Sequence, residues 1–386
     1  MSSLSDADLL ARLVAFDTTS HNSNLPIADF ICDYLDRPGI RIERNPSPDG
    51  TKTNLIVTVG PATDGETRNG LMLSGHMDVV PALEPDWQSD PFELTETEDA
   101  WVGRGACDMK GFVALAINQA VRVHEMSLEH PLALILTYDE ELGTLGARHF
   151  VRSWTQLDEL PRRSIIGEPT SLEVVRMHKG HATLRLTFRG VGAHSGYPHL
   201  GHNAIEPAAS AISAIAELRR KLETERPATG EFFPEVPFVA LNVARVRGGS
   251  AINIVPDLCT IDIGIRVLPG MTAQPIADQL RATVTAAVGD HEFELSDVEE
   301  SPPMLLEASS DLYSALCRRL AQETTVSASY ATDAGWFQTA GFECLLWGPG
   351  TIEVAHKPNE SIPKRELARA SQLLGGFVDQ FCVASI

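Results

Sequence analysis

The sequence is short of positive charge. Its 386 residues carry 31 Lys and Arg against 52 Asp and Glu, for a formal net charge of −21. A phosphate backbone rewards clustered Lys and Arg, and an anionic membrane surface attracts the same residues. Neither nucleic acid nor membrane is therefore an expected partner. No run of roughly 18 consecutive apolar residues occurs, the length a helix needs to cross a bilayer. Residues 1–16 lack a basic start and an unbroken apolar stretch, because Asp6, Asp8 and Arg12 interrupt it, so no secretory leader is expected. Cysteine is also scarce. The six (Cys32, Cys107, Cys259, Cys317, Cys344 and Cys382) form no C-x-x-C pair. That excludes a disulfide framework and a thiolate zinc site and points to a reducing, cytoplasmic location. Cys107 is expected to pack rather than react.

Several hydrolytic motifs are missing too. There is no G-x-S-x-G nucleophile elbow. His124-Glu125 is not followed by the second histidine of H-E-x-x-H. The glycine stretches at 190–192 and 348–350 are too short to cradle phosphate, and no internal repeat is present.

What is present is an alternation of strands and helices. Apolar spacing of three and four predicts helices over residues 4–16 and 27–38. Short apolar strands are predicted at 53–59, 70–74, 132–137 and 164–166, with a long apolar helix over 111–123. Strands alternating with helices imply a mainly parallel sheet covered on both faces. Near Met177 the texture changes, and residues 181–189 alternate apolar and polar in the manner of a half-exposed strand. A helix at 204–222, strands at 238–246 and 260–267 and a helix at 273–288 complete a compact α+β block, with 227–237 as a surface loop. A helix at 312–322, a buried strand at 344–347 and a closing helix at 364–382 return to the α/β texture. The expected organisation is an α/β domain, 1–177 and 291–386, interrupted by an α+β insertion at 178–290.

Four acidic or histidine clusters follow predicted strands or open the apolar helix. They are Ser74-Gly75-His76-Met77-Asp78, the segment 103–111 with Cys107-Asp108-Met109, Tyr138-Asp139-Glu140-Glu141-Leu142-Gly143, and Gly167-Glu168-Pro169-Thr170. Singly, each has an ordinary explanation: a capping aspartate, or acids favouring a helix start. Together they carry more. Strand ends of such a sheet converge on one crevice, where several ionised acids would force one another to protonate unless cations are present. Histidine and carboxylate ligands without thiolates suit Zn²⁺, with Co²⁺ or Mn²⁺ as substitutes. The surplus of carboxylates suggests two ions roughly 3.5–4 Å apart, sharing a bridging carboxylate.

These clusters, with Ala355-His356-Lys357-Pro358, resemble the M20 family of dinuclear zinc amidohydrolases and peptidases. Within the family the resemblance runs to the acetylornithine deacetylase branch. Its marks cover nearly the whole chain, including 16–20, 74–81, Ala193-His194-Ser195, 248–256, 266–270 and 348–359. The resemblance implies Asp108 as the bridging carboxylate, His76 and Glu168 completing one zinc site, and Glu141 and His356 the other. It implies Glu140 as general base and Asp78 as the residue that orients His76. A hydroxide held between the two ions would attack the amide, and His194 would stabilise the oxyanion, reaching across from the other subunit of a homodimer built on the inserted domain. Arg266 would grip the substrate's α-carboxylate, near Asn253. The bare residue pattern reads His194 as a loop histidine and Arg266 as an ion-pair partner of Asp262 or Glu353.

The implied reaction is deacetylation of N²-acetyl-L-ornithine, a step of arginine biosynthesis. Glu168 argues against the carbamoyl-cleaving and aminopeptidase branches, where the resemblance would require histidine and aspartate. One departure is Ala331-Thr332-Asp333-Ala334-Gly335, where relatives carry Gly-Thr-Glu-Ala-Gly. If Thr332 and Asp333 contact the substrate, the shorter acid puts the preference for ornithine in question. The rival readings are a deacylase or desuccinylase for another N-acyl amino acid, and a non-catalytic binding relative. The second is disfavoured because no implied ligand or base is missing.

Overall fold

A computed structural model describes residues 3–384, so the first two residues of the N-terminal stretch read above lie outside it. The chain divides into two compact units. One runs up to Arg176 and includes Leu306–Val326 and the residues from Thr332 on; the other is Met177–Leu305 with Ser327–Ala331.

The first unit is built on one sheet. Its order is Ile40–Pro46, Thr53–Val59, Leu132–Thr137, Leu71–His76, Arg163–Ile166 and Glu343–Leu346, continued by an antiparallel bridge from Leu346 to Val175. The four strands from Leu132–Thr137 to Glu343–Leu346 are mutually parallel. Every residue of Leu71–His76 and Leu132–Thr137 is buried, as expected for a parallel sheet covered on both faces. Thr53–Val59, expected within the parallel set, instead runs antiparallel to both neighbours. The unanticipated strand Ile40–Pro46 pairs with it as the sheet edge, and a polar face (Arg41, Glu43) hides it from an apolar pattern search.

The helix Gly111–Val123 leaves only Asn118 and Arg122 outside the buried set and packs against Leu71–His76 and the closing helix Lys364–Cys382. The opening helix Asp6–Val14 starts at Ser5, whose hydroxyl accepts the Asp8 N–H at 3.1 Å, satisfying a backbone donor the helix leaves free. Its Leu9, Leu10, Leu13 and Val14 are buried. No helix among the described residues is long and apolar enough to cross a membrane.

In the second unit, Gly180–Arg189 is flanked by Leu258–Val267, then the edge strand Ala240–Gly248. The alternation along Gly180–Arg189 sends Leu184, Leu186 and Phe188 into a core shared with Ile261, Ile263 and Ile265 and with the helices Ile205–Leu222 and Gln274–Val288. The boundary expected at 290 is corrected to 305. Phe293–Leu295 and Glu299–Ser301 pair with Gly180–Arg189, so these residues complete the inserted sheet. The stretch 227–237 is likewise more than a surface loop, since it holds the short helix Ala228–Phe232 and buries Phe233 in the core.

Candidate metal centre

Three of the four parallel strands of the first unit deliver a cluster at the carboxyl end. Leu71–His76 ends on His76 itself, Leu132–Thr137 leads into Glu140 and Glu141, and Arg163–Ile166 leads into Glu168. Asp108 lies in the turn 106–110 that enters the helix Gly111–Val123. Glu168 can sit this close only because residue 167 is glycine: a Cβ there would lie 1.9 Å from the Phe112 ring. At the start of the Asp108 turn, Gly105 adopts a left-handed φ of 76°, a conformation L side chains resist.

The side chains converge as two triads. Ligand atoms of His76, Asp108 and Glu168 lie within 4.8 Å of one another, as do those of Asp108, Glu141 and His356. Asp108 belongs to both. Its Oδ1 is 3.0 Å from His76 Nε2, and its Oδ2 is 3.3 Å from His356 Nε2. His356 Nε2 is also 2.9 Å from Glu141 Oε1. Burial is uneven, with the His76 side chain 1% exposed and that of His356 49%, so the second triad is the one open to solvent. His356 and Asp139 both hold left-handed φ values, 59° and 51°, a sparsely populated choice for such residues. Strain of this kind concentrates at functional sites.

The acids strain against one another electrostatically. Glu168 is pushed well above its ordinary value by burial and by Asp108, and Glu140 by burial and by Glu168. Glu141 is raised by burial and again by Asp108. Burial also acts to raise Asp108, but its bonds to His356 and His76 outweigh that and hold it low. His356 is raised to about 10 by its bonds to Asp108 and Glu141. A divalent cation at either triad fits this donor set: oxygen and imidazole ligands, closely spaced, with more negative charge than the two imidazoles balance. Cation binding competes with protonation of these groups, so cation affinity rises with pH.

Asp78 meets the other ring nitrogen of His76, chiefly through its backbone carbonyl. His76 Nδ1 lies 2.9 Å from the backbone carbonyl of Asp78 and 3.6 Å from its Oδ1. The carboxylate also accepts the N–H groups of Glu140 (3.1 Å) and Glu141 (3.2 Å) and the Ser20 hydroxyl (2.8 Å). It thereby fastens the loop carrying both glutamates to the end of the neighbouring strand. Sequence reasoning missed Ser20, although the segment 16–20 was among the resemblance marks. On the far side of the same loop, Asp139 pairs with Lys52 at 2.5 Å.

The residues expected to contact substrate are placed variously. Thr332 is fully buried, and its hydroxyl accepts the Ala334 N–H. Asp333 is 2% exposed; its Oδ2 accepts the Thr137 hydroxyl at 2.6 Å, and its Oδ1 is buried without a hydrogen-bond partner among the described residues. Burial raises it to about 7. In the second unit, His194 is exposed and pairs across two short strands with Ile254, while Ser195 N–H donates to the Asn253 carbonyl at 2.9 Å. His194 and Asn253 therefore share one exposed arm. Arg266 lies opposite His181 in the sheet register, and burial, with the Arg266 charge adding to it, lowers His178, Lys179 and His181. Asp262, weighed above as its partner, is held by Arg185 and Arg245. Cys107 is buried, with its Sγ 3.5 Å from the Thr351 carbonyl.

Comparison with known proteins agrees with this geometry. Residues 72–380 match the model of peptidase family M20/M25/M40. The acetylornithine deacetylase of Proteus mirabilis is 35% identical over 375 residues, covering 96% of this chain and 93% of that protein. The acetylornithine deacetylase of Yersinia pseudotuberculosis is 34% identical over 371 residues, covering 95% and 94%. Among solved structures, an M20 family metallo-carboxypeptidase from Sulfolobus solfataricus shares the fold with a TM-score of 0.77, at 16% identity over 98% of this chain and 99% of that one. With candidate ligands at strand ends, an aspartate common to two triads and a family match across most of its length, the chain belongs to peptidase family M20/M25/M40, metal-dependent hydrolases of amide bonds.

Proposed function

We propose that this protein removes the acetyl group from N²-acetyl-L-ornithine, releasing acetate and L-ornithine. The observation that carries the chemistry is the pair of triads sharing Asp108, with Glu140 next in sequence to a ligand but in neither triad. The substrate is supported by the near full-length relatives that bear the name acetylornithine deacetylase.

Two zinc ions are the proposed cofactor, one held by His76, Asp108 and Glu168 and the other by Asp108, Glu141 and His356. When bound, such ions polarise a carbonyl and make a neighbouring water acidic near neutral pH. The remaining work falls to side chains. Glu140 takes a proton from the attacking water at its carboxylate and returns it to the departing amine. Asp78, by accepting the Glu140 and Glu141 N–H groups, keeps base and ligand in fixed relation. Arg266 offers a guanidinium to the substrate carboxylate, and His194 and Asn253 supply donors to developing charge on the carbonyl oxygen.

His194 is proposed to act across a homodimer. The second unit exposes Val246, Ile252, Ile254 and Leu258, and its edge strand Ala240–Gly248 leaves one ladder side unpaired. Mixing His194→Ala with Glu140→Ala protein, each inactive alone, is expected to restore activity, because one composite site then holds both native residues. No recovery despite demonstrated subunit exchange rejects the shared site.

A second reading is favoured by Asp333. An acid placed to meet the ornithine ammonium should face open space, yet Asp333 is buried against Thr137. A deacylase or desuccinylase for another N-acyl amino acid needs no such contact. Turnover by zinc-loaded protein on a panel of N-acetyl amino acids and N-succinyl-diaminopimelate separates the two. At least about tenfold higher kcat/KM on acetylornithine, equivalent to ~1.4 kcal/mol of discrimination, supports the first reading, and a flat or shifted profile selects the second.

A further inference from the structure

Glu360 is a buried acid, 1% exposed, that lies outside both triads. Its Oε1 accepts the N–H groups of Cys107 and Asp108, both at 2.9 Å. Its Oε2 accepts the Gly105 N–H at 3.1 Å and Arg104 Nη1 at 2.9 Å. Its own carbonyl accepts the Gly103 N–H at 2.9 Å. Four donors on two oxygens use the acceptor capacity that only an ionised carboxylate offers; a carboxamide would turn an NH₂ group toward two of those donors. Arg104, itself fully buried, supplies the countercharge and reaches on to the Pro81 carbonyl and the Glu84 carboxylate. The N–H groups of Gly105, Cys107 and Asp108 therefore all end on one side chain, while those of Arg104 and Ala106 donate to the Pro91 and Gly103 carbonyls.

That side chain comes from the segment that also carries His356. Between them, Asn359 donates to the Asp86 carbonyl at 3.0 Å and accepts the Gln88 N–H at 2.9 Å, which anchors the segment at a second point. One anchored segment thus presents a ligand of the second triad at residue 356 and holds the aspartate common to both triads through residue 360.

We infer that Glu360 is a positioning residue of the metal centre: by clamping the turn 105–108 it aims Asp108 at both metal positions, so the affinities of the two positions rise and fall together. This rests on the proposed role of Asp108 as the shared ligand. Losing a partner that orients a metal ligand costs typically about 10–100-fold in affinity.

The test uses the full chain stripped of metal and titrated with Zn²⁺ alone by calorimetry, with the melting temperature of the metal-free protein read in parallel. Glu360→Gln keeps the side chain's shape where Glu360→Ala risks the fold. Glu360→Gln is expected to weaken both zinc-binding events by about tenfold or more, whereas Glu168→Ala weakens one. A purely structural role lowers the melting temperature and leaves both affinities at the wild-type value, and that result overturns the inference. So does a loss confined to one event. Asp108→Ala keeps the two ideas separable. If it binds two zinc ions as wild type does, the reading of Asp108 fails; if it loses them while Glu360→Gln keeps them, only the positioning role fails.

Discussion

Glu140→Ala is expected to keep both metal ions and lose turnover by at least about 10²–10⁴-fold, the range in which a positioned general acid–base contributes. The retention follows from geometry. Glu140 supplies no atom to either triad, whereas its neighbour Glu141 lies 2.9 Å from His356. Its backbone is fixed independently of its side chain, through the N–H bond to Asp78, so truncation leaves the ligand loop in place. The catalytic loss follows from electrostatics. Burial and Glu168 hold the Glu140 carboxyl above the ordinary carboxylate range in the metal-free protein. Cations bound at the adjacent triads would counter that, leaving a group able both to take a proton and to give it back. Metal content by atomic absorption and kcat on acetylornithine, measured on one preparation, check both halves. Wild-type turnover removes Glu140 from the mechanism, and loss of a metal ion would make it a ligand.

Part of this site was legible because its chemistry coincides with strand ends. Leu132–Leu136 is a continuous apolar run and Arg163–Ile166 ends on two isoleucines, and the acids stand within four residues of these strand ends. A parallel sheet gathers such positions by topology alone. The inserted unit was legible from the period-2 pattern of Gly180–Arg189, since one face meets the core and the other meets polar groups. Other features leave no pattern to read. Ile40–Pro46 is a polar edge strand whose place is set by its pairing partner. The strands at 293–301 are short and partly exposed, so their membership in the inserted sheet depends on a register that only the folded chain defines. Asp78 also accepts, at its carboxylate, backbone N–H groups 62 and 63 positions away, a partnership that no local spacing announces. Glu360 is hidden for the same reason: its partners are N–H groups more than 250 residues distant, and any residue type can supply those.

Asp108→Ala is expected to bring zinc content from two ions per chain toward none after dialysis, where Glu141→Ala loses one. The aspartate uses a different oxygen for each triad, Oδ1 toward His76 and Oδ2 toward His356. Removing it leaves each position with two protein ligands, below the three that catalytic zinc sites provide. Unchanged metal content refutes the shared role. The same substitution has a second, metal-free signature whose sign can be worked out. In the metal-free protein the His356 imidazole is raised to about 10, and its bond to Asp108 is the foremost cause. A histidine raised on folding contributes stability that is fully present below its unfolded value of about 6.5 and is lost as pH rises through the folded value. Asp108→Ala removes that contribution. In metal-free protein it therefore lowers the melting temperature relative to wild type more at pH 6 than at pH 10, and the His356 titration seen by NMR moves down from about 10. Because His356 is half exposed, solvent screening keeps the stability change modest, so the NMR shift is the sharper reading. A His356 titration unaltered by Asp108→Ala would separate Asp108 from the second triad even if zinc were lost, and would leave it a ligand of the first alone.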